Sequence, residues 1–419
     1  MTDHANWSAH APFRFAVGIE DTFIAHESPG QRKLDEYELT QHYQFWDHDL
    51  ELVAESGADT LRWGIPWYRV EPEPGKFAWD WVDRVADKIS SLGLTCIVDL
   101  MHYGTPLWLD NSFANADYPD RVAAYAAKAA DTLGDRFQAW TPLNEPVINA
   151  LYCGERGLWP PHLTGSRGFV QVLMQLTKGI CLTQSAIQSI QSDAAFVHVD
   201  AGFRYEGETR PLPLELMHEH RFLAMDLITG AVHDDHPLTS WLQANGAGDI
   251  PLAWMLAHAV EPTVIGVNYY PAFTTVRFHA DGTTEPVEAG TAGLENLVRA
   301  YALRYGKPVM ITETSRGGTV RDRQTWLSES LASVARLRSD GVPVIGYTWF
   351  PFLALVDWLY REASTPMDEW LIQMGLIDLA LTSGGGTLER RPTPLLDDFR
   401  RATRNRIPPV RSAARERRP

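Results

Sequence analysis

The chain has 419 residues, 45% of them hydrophobic, and a formal net charge of -16. That is enough apolar material for one large core or two ordinary ones. The negative balance argues against nucleic acid as the main partner and leaves an uncharged substrate open.

The opening segment, MTDHANWSAHAPFRF, has no basic region followed by an apolar run, so no signal peptide is expected. No uninterrupted apolar run is long enough to cross a membrane. Cys96, Cys153 and Cys181 show neither paired nor metal-ligand spacing and read as buried thiols in a reducing compartment. The expectation is a cytoplasmic protein.

In chain order, the predicted strands are FRFAVGI from Phe13, TLRWGI from Thr60, LTCIVDLM from Leu94 and FQAWTPL from Phe137. Four more follow: AFVHVDA from Ala195, TVIGVNY from Thr263, PVMITE from Pro308 and VPVIGYTWF from Val342. Each is a near-continuous apolar run, as expected of parallel strands covered on both faces. Helical periodicity falls between them, over about 39–56, 79–92, 119–133, 166–191, 216–229, 292–305 and 322–339. WDWVDRVADKISSLG repeats its apolar residues at three- and four-residue steps and stops at Gly93.

Eight strands with intervening helices predict an α/β fold, a single (β/α)8 TIM barrel whose site lies at the C-terminal ends of the strands. A two-domain doubly wound protein is the rival. No Gly-rich phosphate turn follows the first strand, however, and no linker interrupts the middle. The barrel domain is assigned to 1–405. Beyond it, 406–419 is proline-containing and basic: from Arg400 onward eight arginines face one Glu416. It is expected to be disordered, and inert rather than a partner-binding arm. The loops at 147–165, with Tyr152, Trp159 and Pro160-Pro161, and at 350–374 are long and aromatic, as barrel site loops are.

Polar residues crowd the predicted strand ends: Glu20, Arg62, His102, Asn144 with Glu145, His198 with Asp200, Asn268 with Tyr270, Glu313, and Asp357 with Trp358. Taken singly, each fits a polar layer capping the barrel. Together they include two acids, Glu145 in TPLNEP and Glu313 in VMITET, far apart in order but on one face of a barrel. Glycosidic bond cleavage needs such a pair: one carboxyl protonates the leaving oxygen while the other attacks or activates water. Glu145 as acid needs a raised pKa. Glu313 needs to stay ionised, which Arg62 favours. Asn144 is placed to bond a sugar 2-hydroxyl and Tyr270 to hold the nucleophile's second oxygen. The gap between the acids decides retention or inversion.

These motifs resemble glycoside hydrolase family 1, the β-glucosidase family. Segment 61–109 is similar to its second and third strand units, NEPVINALYCGERGLWPP (144–161) to its acid/base motif, and VIGVNYY (264–270) to its sixth strand. VMITET (309–314), GYTWFPFLALVDW (346–358) and MGLIDLA (374–380) complete a likeness over most of 13–380. The resemblance implies a retaining, two-glutamate glycosidase without a cofactor or metal, acting on a small carbohydrate or glycoside. Glu145 would be the acid/base, Glu313 the nucleophile, and Arg62 and Tyr270 the nucleophile's partners. His102 and Asn144 would contact hydroxyls, with Asp357 and Trp358 at the non-reducing sugar.

The chain also departs from the family. Thr314-Ser315 replace Asn-Gly after the nucleophile, and Tyr103-Gly104 replace Trp-Asp after His102. The strand-one Gln is missing, with Glu20 or Asp21 in its place. The active-site Trp is either Trp349 or replaced by Phe350, and Asp357 stands for a glutamate. Acidic Asp357 disfavours a 6-phosphorylated sugar, although Arg361 is nearby, so a neutral β-linked glycone is expected.

Three other readings use the same residues. A metal-dependent barrel hydrolase would recruit His102, His198 and Asp200, but strand one lacks an HxH pair; His198 is instead expected to face into the barrel. A sugar-binding protein without activity would keep the pocket. A transglycosidase would share the covalent intermediate and pass it to a sugar hydroxyl.

Overall fold

The computed structural model describes residues 7–208, 212–405 and 407–410. Eight parallel strands close into a barrel in sequence order. They are β1 (Arg14–Gly18), β2 (Thr60–Gly64), β3 (Thr95–Asp99), β4 (Ala139–Thr141), β5 (Ala195–Ala201), β6 (Val264–Asn268), β7 (Val309–Thr314) and β8 (Val344–Trp349). All eight coincide with predicted runs. The reason is elementary: a strand covered by side chains inside and helices outside has no polar face.

Inside the barrel, Ala16, Ile97, Ala139, Ala195, Val197, Val199, Val264, Met310 and Ile345 form an apolar plug. Small residues suit a space shared by eight strands. Trp7 closes its lower end, with the Arg14 guanidinium 4.1 Å from its ring centroid. Above the plug the lining turns polar, and there the strands end.

The outer layer includes α1 (His42–Glu55), α2 (Asp80–Ser91), α3 (Tyr118–Leu133), α4 (Gly165–Ile190), α5 (Leu223–Ile228), α6 (Gly290–Tyr305), α7 (Val320–Ser339) and α8 (Pro394–Arg404). In α2 Val82, Val85, Ala86 and Ile89 are buried along one stripe, Asp80 and Asp83 face the positive N-terminal end, and Gly93 takes φ +71 just past the stop. Helix α7 opens with a capping box between Thr319 and Asp322. Helix α8 was not predicted. Its RRPTPLLDDFRR sequence shows only Leu395, Leu396 and Phe399 as apolar residues, and these are buried, Phe399 edge-on to Phe15.

Other additions are also local. Residues 204–207, 275–278 and 284–287 form a small three-stranded sheet, and 377–381 pairs with 388–392. Of the expected tail, Pro408 lies against α7, its carbonyl accepting from Arg338 Nε at 2.5 Å. Arg406 and 411–419 lie outside the described residues.

Candidate active site

Arg62 leaves β2 pointing inward, fully buried, and its guanidinium organises the polar layer. It pairs with Asp99 of β3 at 2.6 Å and with Glu313 Oε1 at 2.5 Å, and donates to Asn144 Oδ1 at 2.6 Å. Burial works against this charge, but Asp99, Glu313 and Asp21 outweigh it and hold the pKa well above its ordinary value. A permanently charged fork with three acceptors is a fixed scaffold.

Glu313 reaches this fork through an irregularity. The pairing of β7 with β6 slips between Ile311 and Glu313, and that with β8 between Ile311 and Thr314. Strict alternation would send Thr312 and Glu313 to opposite faces; the bulge lets both look inward. Thr312 Oγ1 donates to Asn268 Oδ1 at 2.7 Å, while Glu313 Oε2 accepts from the Tyr270 hydroxyl at 2.6 Å. Thr314 then faces out and accepts from Trp326 Nε1. Glu313 retains 4% exposure.

Glu145 lies just beyond β4, its N–H bonded to the Val199 carbonyl of β5. Its backbone is left-handed, φ +46, strained for a non-glycine residue, and it precedes the short helix Pro146–Ala150. Asn268 Nδ2 donates to its Oε1 at 2.9 Å and the Tyr103 hydroxyl donates to its Oε2. Burial, then the nearby charge of Glu313, raise its pKa to about 7 against the hydrogen bonds that lower it. The two acids therefore sit in contrasting surroundings. Glu313 is clamped by a cation, and Glu145 is buried among neutral donors.

Asn144 joins the two halves. Its Oδ1 accepts from Arg62 and from Asn268 Nδ2 at 3.2 Å. Arginine is only ever a donor, so this fixes the amide orientation and turns Nδ2 toward His102 Nε2 and the Tyr103 oxygen, both at 2.9 Å. His102 Nδ1 faces Asp21 at 2.8 Å. Burial opposes a charge on His102 while Asp21, Asp99 and Glu20 favour one, with a net push well upward. An imidazolium, however, would set an N–H against the amide of Asn144. The hydrogen-bond chain holds the neutral ring, protonated on Nδ1.

Glu20 sits 3.9 Å from His102, its Oε1 accepting from the Thr22 hydroxyl at 2.6 Å and amide at 3.1 Å. Burial raises its pKa to about 7. Behind it, burial also raises Asp21 and lifts Glu36 well above the carboxylate range.

Among the remaining predicted residues, Trp358 joins Tyr103, Tyr152 and Trp159 in an aromatic wall, with ring centroids 5.4, 6.1 and 5.3 Å from its own. Asp357 caps its own turn through the Leu359 amide and reaches none of the cluster. Trp349 turns outward, its Nε1 bonded to the Met374 carbonyl. The ring facing the site is Phe350, parallel to His102 at 6.4 Å and 5.5 Å from the Arg62 guanidinium. His198, expected inside the barrel, faces α4 instead and bonds Gln184 at 2.7 Å. Its neighbours Val197 and Val199 take the inward positions, so alternation puts it outside. Burial drops its pKa to about 3, keeping it neutral. Arg361 spends its guanidinium on the Arg32 and Ile24 carbonyls.

Sequence reasoning missed Asp99, Thr312 and the role of Tyr103. Asp99 left a signal, an acid closing an apolar run one strand from an arginine that needs a partner. Asp21, Asp99 and His102 converge closely enough to suggest a cation site, as do Glu219, Asp226 and His236. Each set already contains a cation, Arg62 on Asp99 and Arg304 on Asp226 at 2.6 Å.

The sequence model of glycosyl hydrolase family 1 matches residues 16–201. β-Glucosidase A of Thermotoga maritima is 31% identical over 356 residues, covering 76% of this chain and 78% of that protein. A 1,4-β-D-glucan glucohydrolase of Thermotoga neapolitana is 24% identical over 355 residues, 76% and 82% of the two chains. An aryl-phospho-β-D-glucosidase of Bacillus subtilis is 24% identical over 385 residues, 76% and 78%. The fold superposes on a solved family 1 β-glucosidase from T. maritima with a TM-score of 0.80 and 19% identity, over 94% of this chain and 97% of that one. The chain thus belongs to glycosyl hydrolase family 1 and is a glycosidase that hydrolyses O-glycosyl bonds.

Proposed function

We propose that the chain cleaves β-linked neutral glycosides with net retention, Glu145 serving as acid/base and Glu313 as nucleophile. The observation that carries this is the split environment of the two acids across one bonded cluster. Glu313 is held by Arg62 and Tyr270, while Glu145 is buried, held by neutral donors and raised to about 7. In the first step Glu145 gives its proton to the leaving oxygen as Glu313 attacks the anomeric carbon. In the second, the ionised Glu145 takes a proton from water as water displaces the sugar. Glu20, with only Oε1 bonded to Thr22, keeps its second oxygen to read a sugar hydroxyl, while Asn144 and Asp21 hold both nitrogens of His102. The aromatic wall of Tyr152, Trp159 and Trp358 offers apolar faces for stacking.

The neutral glycone rests on charge. Glu20, which ionises near pH 7, lies buried beside the site, and Arg361, a cation in the loop after β8, is bonded to backbone carbonyls. A phosphate there would find repulsion from Glu20, and the fork of Arg361 is already engaged.

A panel of aryl β-glycosides and their 6-phosphates, with the product anomer followed by NMR, tests the reading. The expected outcome is turnover of a neutral member and first release of the β-anomer. Glu313→Ala should cut kcat at least about a thousandfold, with azide restoring turnover as the α-glycosyl azide. Release of the α-anomer would refute retention, and full activity in Glu313→Ala would refute the nucleophile. A transglycosidase would give the same azide adduct but transfer sugar to added acceptor faster than to water.

A further inference from the structure

Tyr103 occupies a place the proposed reaction has not yet used. Its backbone is left-handed at φ +77, uncommon for a bulky residue. The next residue explains how it is held there. A Cβ on Gly104 would lie 1.6 Å from the Phe23 carbonyl oxygen, and the Phe23 amide bonds the His102 carbonyl at 3.0 Å. The ring is clamped by His102, Trp159 and Trp358, at centroid distances of 4.6, 5.3 and 5.4 Å. While Glu145 is ionised, the hydroxyl has one direction to point. Arg62 fixes the amide of Asn144, Asn144 Nδ2 donates to the Tyr103 oxygen, and the phenolic proton is thereby aimed at Glu145 Oε2.

We propose that Tyr103 is a positioning residue for the acid/base, holding Glu145 Oε2 through a one-way chain, Arg62 to Asn144 to Tyr103 to Glu145. The chain favours the ionised carboxyl that water activation requires. This inference rests on the assignment of Glu145 as acid/base. With Asn268 on Oε1, both carboxyl oxygens accept, so a protonated Glu145 must turn one of them toward the glycosidic oxygen. Tyr103 is the partner that can yield, since its hydroxyl rotates while the Asn268 amide is fixed by Thr312 and Asn144. The groups facing Glu145 from its surroundings are Glu313, His102, Asp200, Tyr270, Tyr152 and Tyr103. Of these, Tyr103 is the one whose hydrogen bond reaches the carboxyl.

Tyr103→Phe tests this in the full-length enzyme, because it keeps the ring and its packing. Losing a bond to the charged form raises the pKa of Glu145. The alkaline limb of kcat/KM should therefore move up by roughly half to one pH unit. An alkyl glycoside, which needs a well-placed proton, should lose at least about fivefold more activity than a dinitrophenyl glycoside, which does not. A 13C-carboxyl titration of Glu145 should shift the same way without reference to turnover. An unmoved or lowered limb, or equal loss on both substrates, would mean that Tyr103 only packs and would overturn the proposal. Glu145→Ala, run beside it, separates the two readings. If its loss is independent of the leaving group, the acid/base assignment itself fails and the positioning role falls with it. If that loss depends on the leaving group while Tyr103→Phe leaves the limb in place, only the positioning role fails.

Discussion

Glu20 shows what a single buried acid can do to both stability and selectivity. Glu20 and Glu145 ionise in the folded chain near pH 7, against about 4.5 for a free glutamate. Between those values the fold binds more protons than the unfolded chain, so stability falls as pH rises through that window. Glu20→Gln removes one of the two groups. Its melting temperature should rise relative to the parent as pH goes from 5 to 8, with little difference at pH 5; circular dichroism melts at the two values check this. The same amide, being neutral, should narrow any preference for neutral over 6-phosphorylated aryl glycosides, read as the ratio of their kcat/KM values. The convergence of Glu145 and Glu313 was legible because each ends an apolar run at the same end of the barrel. Trp349 and Phe350 were not separable by type, since either ring could stack. Only the strand's orientation decided which one faces His102.

At the scale of the element, strand and helix positions followed from hydrophobic period, and the misses have physical causes. Helix α8 sets Leu395, Leu396 and Phe399 on one face, but the run is short, opens on proline and is crowded with charges. His198 was assigned to the wrong face because an all-apolar strand conceals its own alternation. The bulge in β7 leaves no compositional trace at all, although it aims both Thr312 and Glu313. Thr312→Val keeps the shape and removes the donor to Asn268 Oδ1. A buried acceptor left unpaired costs about 1–3 kcal/mol, so the variant should unfold at lower denaturant by that amount. Its activity should also drop, because Asn268 steadies Glu145. Gly64 makes a similar point in β2. A Cβ there would fall 1.6 Å from Asp21 Oδ2. Gly64→Ala should displace Asp21 from His102 and raise KM for the glycone more than it lowers kcat, as steady-state kinetics would show.

For the whole molecule, the barrel separates what holds the fold from what performs chemistry. The apolar plug around Met310 and Trp7 fills the lower lumen, and the ionisable cluster sits above it. The cations in that cluster belong to the chain, Arg62 foremost. Dialysis against a chelator should accordingly leave turnover of an aryl β-glycoside unchanged within about twofold; loss restored by a divalent ion would contradict the assignment of Asp99 to Arg62. Removal of 411–419 should likewise leave the rate unaltered, because Glu145, Glu313 and their bonded partners all lie within the barrel and its loops. The eightfold architecture was readable because it repeats a simple pattern. The site was only partly readable, since its convergence depends on register, backbone twist and which nitrogen of an amide faces an arginine.

The slip in β7 has an implication for lineage and for design. The aim of Glu313 is set by the slip in pairing register before it rather than by the identity of its neighbours. A relative whose strand ran regularly through the same letters could preserve both acidic motifs and still present its carboxylate to the helices. Motif inspection would count such a protein as competent, and on the nucleophile role proposed for Glu313 assays should find it inert. Anyone grafting this half of the barrel elsewhere must transplant the miscount along with the glutamate.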